Sequence, residues 1–241
     1  MLKIYGRNAV YEALKSRDRE IIKLMLKQNI VGEKIREIVE LAADRKVKIE
    51  YVEGKSFDSR FPVRAQGVVL VAGKKTFFTL SEVLDSAKAN NDPPFIVLID
   101  RVQDVRNLGS IIRTAAAFGI NGIIIPKYGS AQISEEVERI SQGTVNYMMI
   151  CETSNLRNDI GFLKDRCVKI VSLDMAGGTS LNDFSMPPEG IALILGNEGK
   201  GIKDILREES DIVLNIPMNE GVESLNVSVS FAVVAYKLRR L

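Results

Sequence analysis

Residues 191–240 read IALILGNEGKGIKDILREESDIVLNIPMNEGVESLNVSVSFAVVAYKLRR, and their reading decides the fold. IALIL (191–195) is an apolar run of strand length, and GNEGKG (196–201) is too rich in glycine to continue it. IVLNIPM (212–218) is a second short strand stopped by Pro217, and SLNVSVSFAVVAYKL (224–238) is an apolar stretch of helical length. Both loops leave a buried strand, and both carry a carboxylate and an asparagine. Gly196, Gly199 and Gly201 have no β-carbon to obstruct a ligand approaching the backbone. An ordinary strand–turn–helix connection explains one such loop, but not a second one beside it.

Upstream, the same pattern repeats. FIVLID (95–100) and INGIIIP (120–126) read as buried strands. Between them RVQDVRNLGSIIRTAAAFG (101–119) is a loop entering a helix, with Gly119 as its stop. ISEEVERISQG (133–143) is a helix capped by Ser134, and MMIC (148–151) and VKIVSLD (168–174) continue the strands. Strands alternating with helices predict an α/β fold with a parallel sheet covered on both faces. Ligands of such sheets sit beyond the carboxyl ends of the strands. Asn107 and Arg113, residues 196–201 and residues 216–226 all fall there.

Residues 73–94 end in NNDPP and read as a linker. Before it, residues 1–72 form a small α/β unit, with helical patterns in GRNAVYEALKS and EKIREIVELAADRK and strands in IIKLMLK, VKIEYV and QGVVLVA. The expected organisation is therefore 1–72, a 73–94 linker, and 95–241. Charge follows the same division. Residues 1–75 hold 17 Lys+Arg against 10 Asp+Glu, a net +7, and the remainder is −5. That asymmetry points the first unit toward a polyanion, with Arg7, Arg17, Arg19, Lys23, Lys27, Arg60 and Arg64 as candidate phosphate contacts. Aromatic residues are too sparse there for a base-stacking sheet.

Composition narrows the chemistry. At 46% apolar and 27% charged, the 241 residues read as globular. No apolar run is long enough for a membrane span, and MLKIYGRN does not read as a signal peptide. Cys151 and Cys167 give neither a metal spacing nor a disulfide framework, so a cytoplasmic protein without a metal site is expected. There is no histidine at all. That excludes Ser–His–Asp and Cys–His catalysis and a histidine base, leaving Arg, Lys, carboxylates, hydroxyls, backbone or a cofactor.

NLGSIIRTA (107–115), LILGNEGKGI (193–202) and IPMNEGVESLNVSVSFAV (216–233) resemble, in order, the three motifs of the SpoU (TrmH) family of RNA ribose 2′-O-methyltransferases. GRNAVYEAL and QGVV resemble the substrate-binding domain of its ribosomal RNA guanosine members. The resemblance implies an N-terminal domain similar to ribosomal protein L30e and a catalytic domain whose C-terminal segment makes a deep trefoil knot, a feature otherwise almost excluded from folds. It also implies a homodimer, and S-adenosylmethionine held largely by backbone groups.

Carried over residue by residue, Gly196, Ile216 and Leu225 match cofactor-contacting positions, with Asn197 and Met218 close by. Asn107, Arg113, Glu198, Ser224 and Asn226 match positions tied to catalysis. Arg113 matches the family's proposed base, yet a guanidinium is normally an obligate donor, so a role as electrostatic partner of the developing alkoxide stands beside it. Glu198 is expected to order Arg113 or the second loop, and Glu223 to brace in the same way. Ser224 and Asn226 also fit plain helix caps. Where related sequences carry histidine, this chain has DVRN (104–107), RAQG (64–67) and TVNY (144–147), all in regions expected to meet substrate.

The resemblance implies methylation of a guanosine ribose in large-subunit (23S) ribosomal RNA. A transfer-RNA methyltransferase of the same family and a non-catalytic ribosome-assembly factor are the alternatives. A nicotinamide-dependent dehydrogenase fails, because no GxGxxG follows the first strand of either α/β section.

Overall fold

The computed structural model describes residues 2–16, 19–73, 75–221 and 224–239. Arg17 and Glu223, named above, lie outside them. In chain order the first elements are β1 (Leu2–Tyr5), α1 (Arg7–Lys15), β2 (Ile21–Lys27), α2 (Glu33–Asp44), β3 (Lys48–Val52), α3 (Gly54–Arg60) and β4 (Val68–Ala72). Next come α4 (Leu80–Ala89), β5 (Phe95–Ile99), α5 (Val105–Ala117), β6 (Gly122–Pro126), α6 (Glu135–Ile140) and β7 (Ile150–Thr153). The chain ends with α7 (Leu156–Lys164), β8 (Lys169–Leu173), β9 (Thr179–Ser180), β10 (Ile191–Leu195), α8 (Asp204–Glu208), β11 (Ile212–Asn215) and α9 (Val227–Leu238).

Two compact units result. The first comprises residues 1–76 with 133–147, and the second residues 77–132 with 148–241. These limits differ from those expected of the sequence in two places. The stretch read as a linker holds α4, started by a full Thr79–Glu82 capping box. Val83 and Ala87 of this helix are fully buried, Val83 in the core of the second unit, and burial of its apolar face makes it part of that unit. The α6 segment belongs instead to the first unit, for a reason given below.

The first unit is a four-stranded sheet in the order β1-β4-β2-β3, with β2 and β3 parallel and β4 antiparallel to β1 and β2. The apolar stripes of α1 (Ala9, Val10, Ala13, Leu14) and α2 (Ile35, Ile38, Ala42) pack on one face with Ile4, Leu24, Leu26 and Leu70. Arg19, expected to face phosphate, is instead buried and pairs with buried Glu138 of α6 at 2.7 Å. Charges taken out of water must be paired, and loss of one partner typically costs about 3–5 kcal/mol. Together with Lys3 N–H donating to Glu135 Oε1 (3.2 Å), this pair holds residues 133–147 in the first unit.

The second unit is a seven-stranded parallel sheet in the order β7-β6-β5-β10-β8-β11-β9. β5 and β10 are buried at every position and pair from Ile191↔Phe95 to Leu195↔Ile99. Uniform burial explains why both read as unbroken apolar runs. α9 packs beside α5, and both its ends are held. At its start Asn226 caps the helix by accepting from Ser228 N–H at 2.9 Å. At its end the Arg239 guanidinium grips both Asp92 carboxylate oxygens, Gly119 C=O (2.8 Å) and Asn121 Oδ1 (2.9 Å), before the starts of β5 and β6.

Candidate active site

The carboxyl ends of β8, β10 and β11 open onto a cavity of about 370 Å³. Its walls are Leu173–Met175 after β8, Leu195–Gly199 and Gly201 after β10, and Ile216, Met218, Ser224, Leu225, Val227 and Ser230 after β11. Gly196, Asn197, Ile216, Met218 and Leu225, the candidate cofactor residues, all lie in this wall, together with Glu198 and Ser224.

Backbone geometry shapes the cradle. A β-carbon on Gly196 would stand 2.4 Å from Gly201 C, 2.6 Å from Ile202 N and 2.7 Å from Gly201 O. The loop closes on itself through Asn197 N–H to Gly201 C=O (3.0 Å) and the reverse bond (2.9 Å). Gly201 has φ +63° in open space, so its need for glycine is conformational. Asn197 Oδ1 accepts from the N–H groups of Gly199 and Lys200, both at 3.1 Å, and its Nδ2 donates to Arg101 C=O at 2.9 Å. Among the described residues, no backbone hydrogen bond engages Ile216, Met218 or Leu225. Backbone recognition of a ligand draws on peptide groups outside regular ladders, as these are.

A second network joins the three motifs from behind the cavity wall. Asn107 Nδ2 donates to Glu198 Oε1 at 2.7 Å, and Asn226 Nδ2 donates to Asn107 Oδ1 at 3.0 Å. Asn107, in the first turn of α5 and nearly buried, is the shared member. Asn226 thus does two things at once: its Oδ1 caps α9 and its Nδ2 reaches α5. Glu198 takes its bonds from Asn107 and, more weakly, from Asn197 (3.4 Å), not from Arg113.

Arg113 stands apart. It lies six residues beyond Asn107, about 9 Å along α5 and about 120° around it. It is exposed and makes no hydrogen bond or ion pair among the described residues.

Other members carried no motif signal. Asp100, almost fully buried, accepts from Lys203 N–H (2.8 Å) and from Arg101 Nε (3.1 Å) and Nη2 (3.0 Å). Arg101 also donates to Gly201 C=O at 3.3 Å while holding φ +59°, a left-handed conformation unusual for a residue with a side chain. The end of β5 thereby clamps the loop after β10. The usable clue was position: a carboxylate directly after a buried strand. Among the described residues, no group of three His, Cys, Asp or Glu could hold a metal ion, and no helix is long and apolar enough to cross a membrane.

Comparison with known proteins accords with these features. Residues 94–236 match the SpoU rRNA Methylase family, and residues 3–78 match the RNA 2′-O ribose methyltransferase substrate-binding family. The putative TrmH family tRNA/rRNA methyltransferase YacO of Bacillus subtilis is 33% identical, with 98% of this chain and 94% of that one covered. The 23S rRNA (guanosine-2′-O-)-methyltransferase RlmB of Neisseria meningitidis is 31% identical over the same shares. Among solved structures, the SpoU methyltransferase AviRb from Streptomyces viridochromogenes, in complex with AdoMet, superposes with a TM-score of 0.82 at 21% identity, covering 98% of this chain and 88% of that one. The family match spans more than half of the chain, so this protein belongs to the SpoU rRNA methylase family.

Proposed function

We propose that this chain methylates the 2′-oxygen of a guanosine ribose in 23S ribosomal RNA with S-adenosylmethionine as donor. The observation that carries the proposal is the Glu198–Asn107–Asn226 network joined to a glycine-lined cavity. The 31% identity to a 23S guanosine enzyme supports the finer substrate.

S-adenosylmethionine, when bound, supplies a methyl group made electrophilic by its sulfonium, which leaves alignment as the protein's main task. Gly196, Asn197, Ile216, Met218 and Leu225 hold it, mostly through backbone. Glu198, fixed by Asn107, keeps the loop after β10 in register with the start of α9. Ser224 lies in the cavity wall beside Leu225, within reach of substrate. Arg113 presents a guanidinium to the ribose oxygen and its neighbouring phosphate, and stabilises developing negative charge rather than removing the proton.

The exposure of Arg113 supports a site completed by a second copy. Beside α5, helix α9 leaves Val229, Val233 and Tyr236 exposed at i, i+4 and i+7 spacing, an apolar stripe that a homodimer would cover. Threading of the C-terminal segment through a trefoil knot is supported by close passage. The Gly177 β-carbon position lies 2.7 Å from Val213 O, and Asn215 Nδ2 bonds Gly177 C=O. Of the candidate phosphate contacts in the first unit, exposed Arg60 and Arg64 with Arg7 at the β1–α1 junction form no ion pair among the described residues and are proposed to meet RNA. Lys23 and Lys27 already pair with Glu50 (2.7 Å) and Asp58 (2.6 Å). A cytoplasmic setting suits two unpaired cysteines.

Calorimetry with S-adenosylmethionine, followed by methyl transfer to unmodified large-subunit rRNA and mapping of the modified ribose, tests the reading. Binding with 2′-O-methylation of one guanosine is expected; no heat, or a methyl group on a base, refutes it.

A further inference from the structure

The loop after β6 is unused by the reaction as described, yet it is built with care. Lys127 N–H donates to Thr153 C=O (2.7 Å) and Ala131 N–H to Val102 C=O (2.8 Å). Gln132 Nε2 donates to Pro126 C=O (2.8 Å) and Ser130 C=O (3.1 Å), and Gly129 makes the turn at φ +82°. At the tip stands Tyr128, 82% exposed, with no ring contact among the described residues. A mobile tip with an exposed ring is unremarkable surface. A tip held by four hydrogen bonds that still keeps its ring in water has given up apolar burial that a tyrosine would otherwise gain.

Its position explains why. β6 lies beside β5, and β5 beside β10. Val102 C=O ties the Tyr128 loop to the segment after β5, and Arg101 ties that segment to Asn197 and Gly201 at the cavity. Tyr128 and the cavity mouth therefore share one braced rim, two strand spacings or about 10 Å apart. Lys127 lies near Glu152 (3.7 Å), Arg106 pairs with Asp104 (2.9 Å) and Arg101 with Asp100. The rim is thus close to neutral around the ring, which suits stacking on a base better than binding phosphate.

We infer that Tyr128 is a substrate-binding residue: it stacks on an unpaired RNA base near the methylated nucleotide and so sets which ribose reaches the cavity. This rests on the RNA reading above. Single-stranded bases are recognised by stacking on aromatic faces.

The test uses full-length protein and unmodified large-subunit rRNA made by transcription. Tyr128→Ala should raise KM for RNA roughly ten- to hundred-fold, with S-adenosylmethionine affinity unchanged. Because no phosphate contact is lost, the slope of log affinity against log salt should stay the same. Tyr128→Phe, which keeps the ring, should restore KM. The chain has no tryptophan, so Tyr128→Trp gives a lone reporter whose emission should be quenched when RNA binds. If wild-type protein methylates this RNA but the alanine variant keeps its KM, or Trp emission is unchanged at saturating RNA, the inference is overturned and the functional reading stands. A reduced salt slope in Tyr128→Ala also overturns it, in favour of phosphate contact. Failure of the wild type to methylate any ribosomal RNA overturns both.

Discussion

Three glycines in one six-residue loop allow a sharp comparison. Alanine at position 196 would place its β-carbon 2.4–2.7 Å from three backbone atoms of residues 201 and 202. No flexible side chain is available to yield, so the backbone must move by about 1 Å to reach ordinary contact near 3.5 Å. That displacement opposes both Asn197–Gly201 hydrogen bonds. Overpacking costs about 1–3 kcal/mol and each lost hydrogen bond about 0.5–1.5 kcal/mol. Gly196→Ala is therefore expected to destabilise the second unit by about 2–6 kcal/mol unless the loop opens. If it opens, the loss appears in binding, where a misplacement near 1 Å costs about 100-fold. At position 199 the nearest atom to a β-carbon is Asn197 Oδ1 at 3.8 Å and φ is ordinary, so Gly199→Ala should be silent. At position 201 there is space but φ is +63°, so Gly201→Ala should cost about 1–2 kcal/mol through conformation alone. Thermal unfolding and calorimetry with S-adenosylmethionine on the three variants give the ranking 196 > 201 > 199. Equal behaviour of positions 196 and 199 would refute the close-approach argument.

Other expectations concern the supports. Asn107→Ala and Glu198→Gln, alone and together, should show a coupling energy of about 1–3 kcal/mol in unfolding, because the bond is partly buried and one partner is charged; additivity would break the network. Arg239→Ala should lower stability by about 1–3 kcal/mol while leaving the rate of transfer at saturation near wild type. The Arg239 guanidinium holds the Asp92 carboxyl below its ordinary value of 3.8. A depressed folded value means stability present above pH 4 and lost as pH falls through the folded value, so Asp92→Asn should flatten acid unfolding below about pH 4. Burial pushes the Cys151 thiol up to about 12, while Cys167 is exposed. A thiol reagent at pH 8 should modify one cysteine in folded protein and two in denaturant.

The core strands were legible because nothing but burial determines them: Phe95–Ile99 and Ile191–Leu195 are apolar at each position and buried at each position. β1 escaped notice because four residues, LKIY, give no period to read. α3, GKSFDSR, buries only Phe57 and is held by Glu53 accepting from Ser56 N–H, so its apolar pattern is a single residue. Gly196, Asn197 and Glu198 after β10 and Ile216, Met218, Ser224 and Leu225 after β11 line the cavity, and they were noticed because glycine and asparagine in loops after buried strands are locally conspicuous; Asn107, Arg113 and Asn226 lie outside its wall. Leu173–Met175 completed that wall unannounced, since a strand end of ordinary composition has no signature of its own. Pairings between distant residues were the hardest. Arg19 was counted with the phosphate-facing cations because sequence reports its charge and not its partner 119 residues away, Glu138.

The same limitation bears on how the site assembles. Asn226 caps α9 and holds Asn107 with opposite ends of one amide, so neither bond can form with correct geometry unless the helix starts at Val227. The helix in turn is fixed at its far end by Arg239 on Asp92, Gly119 and Asn121. Glu198 gains its 2.7 Å bond only when Asn107 is oriented, and Asn107 is oriented by Asn226. The order of dependence runs from the C-terminal helix inward to the glycine loop. A chain with no histidine has no imidazole to position, and it invests these polar groups in holding three loops still around one cavity.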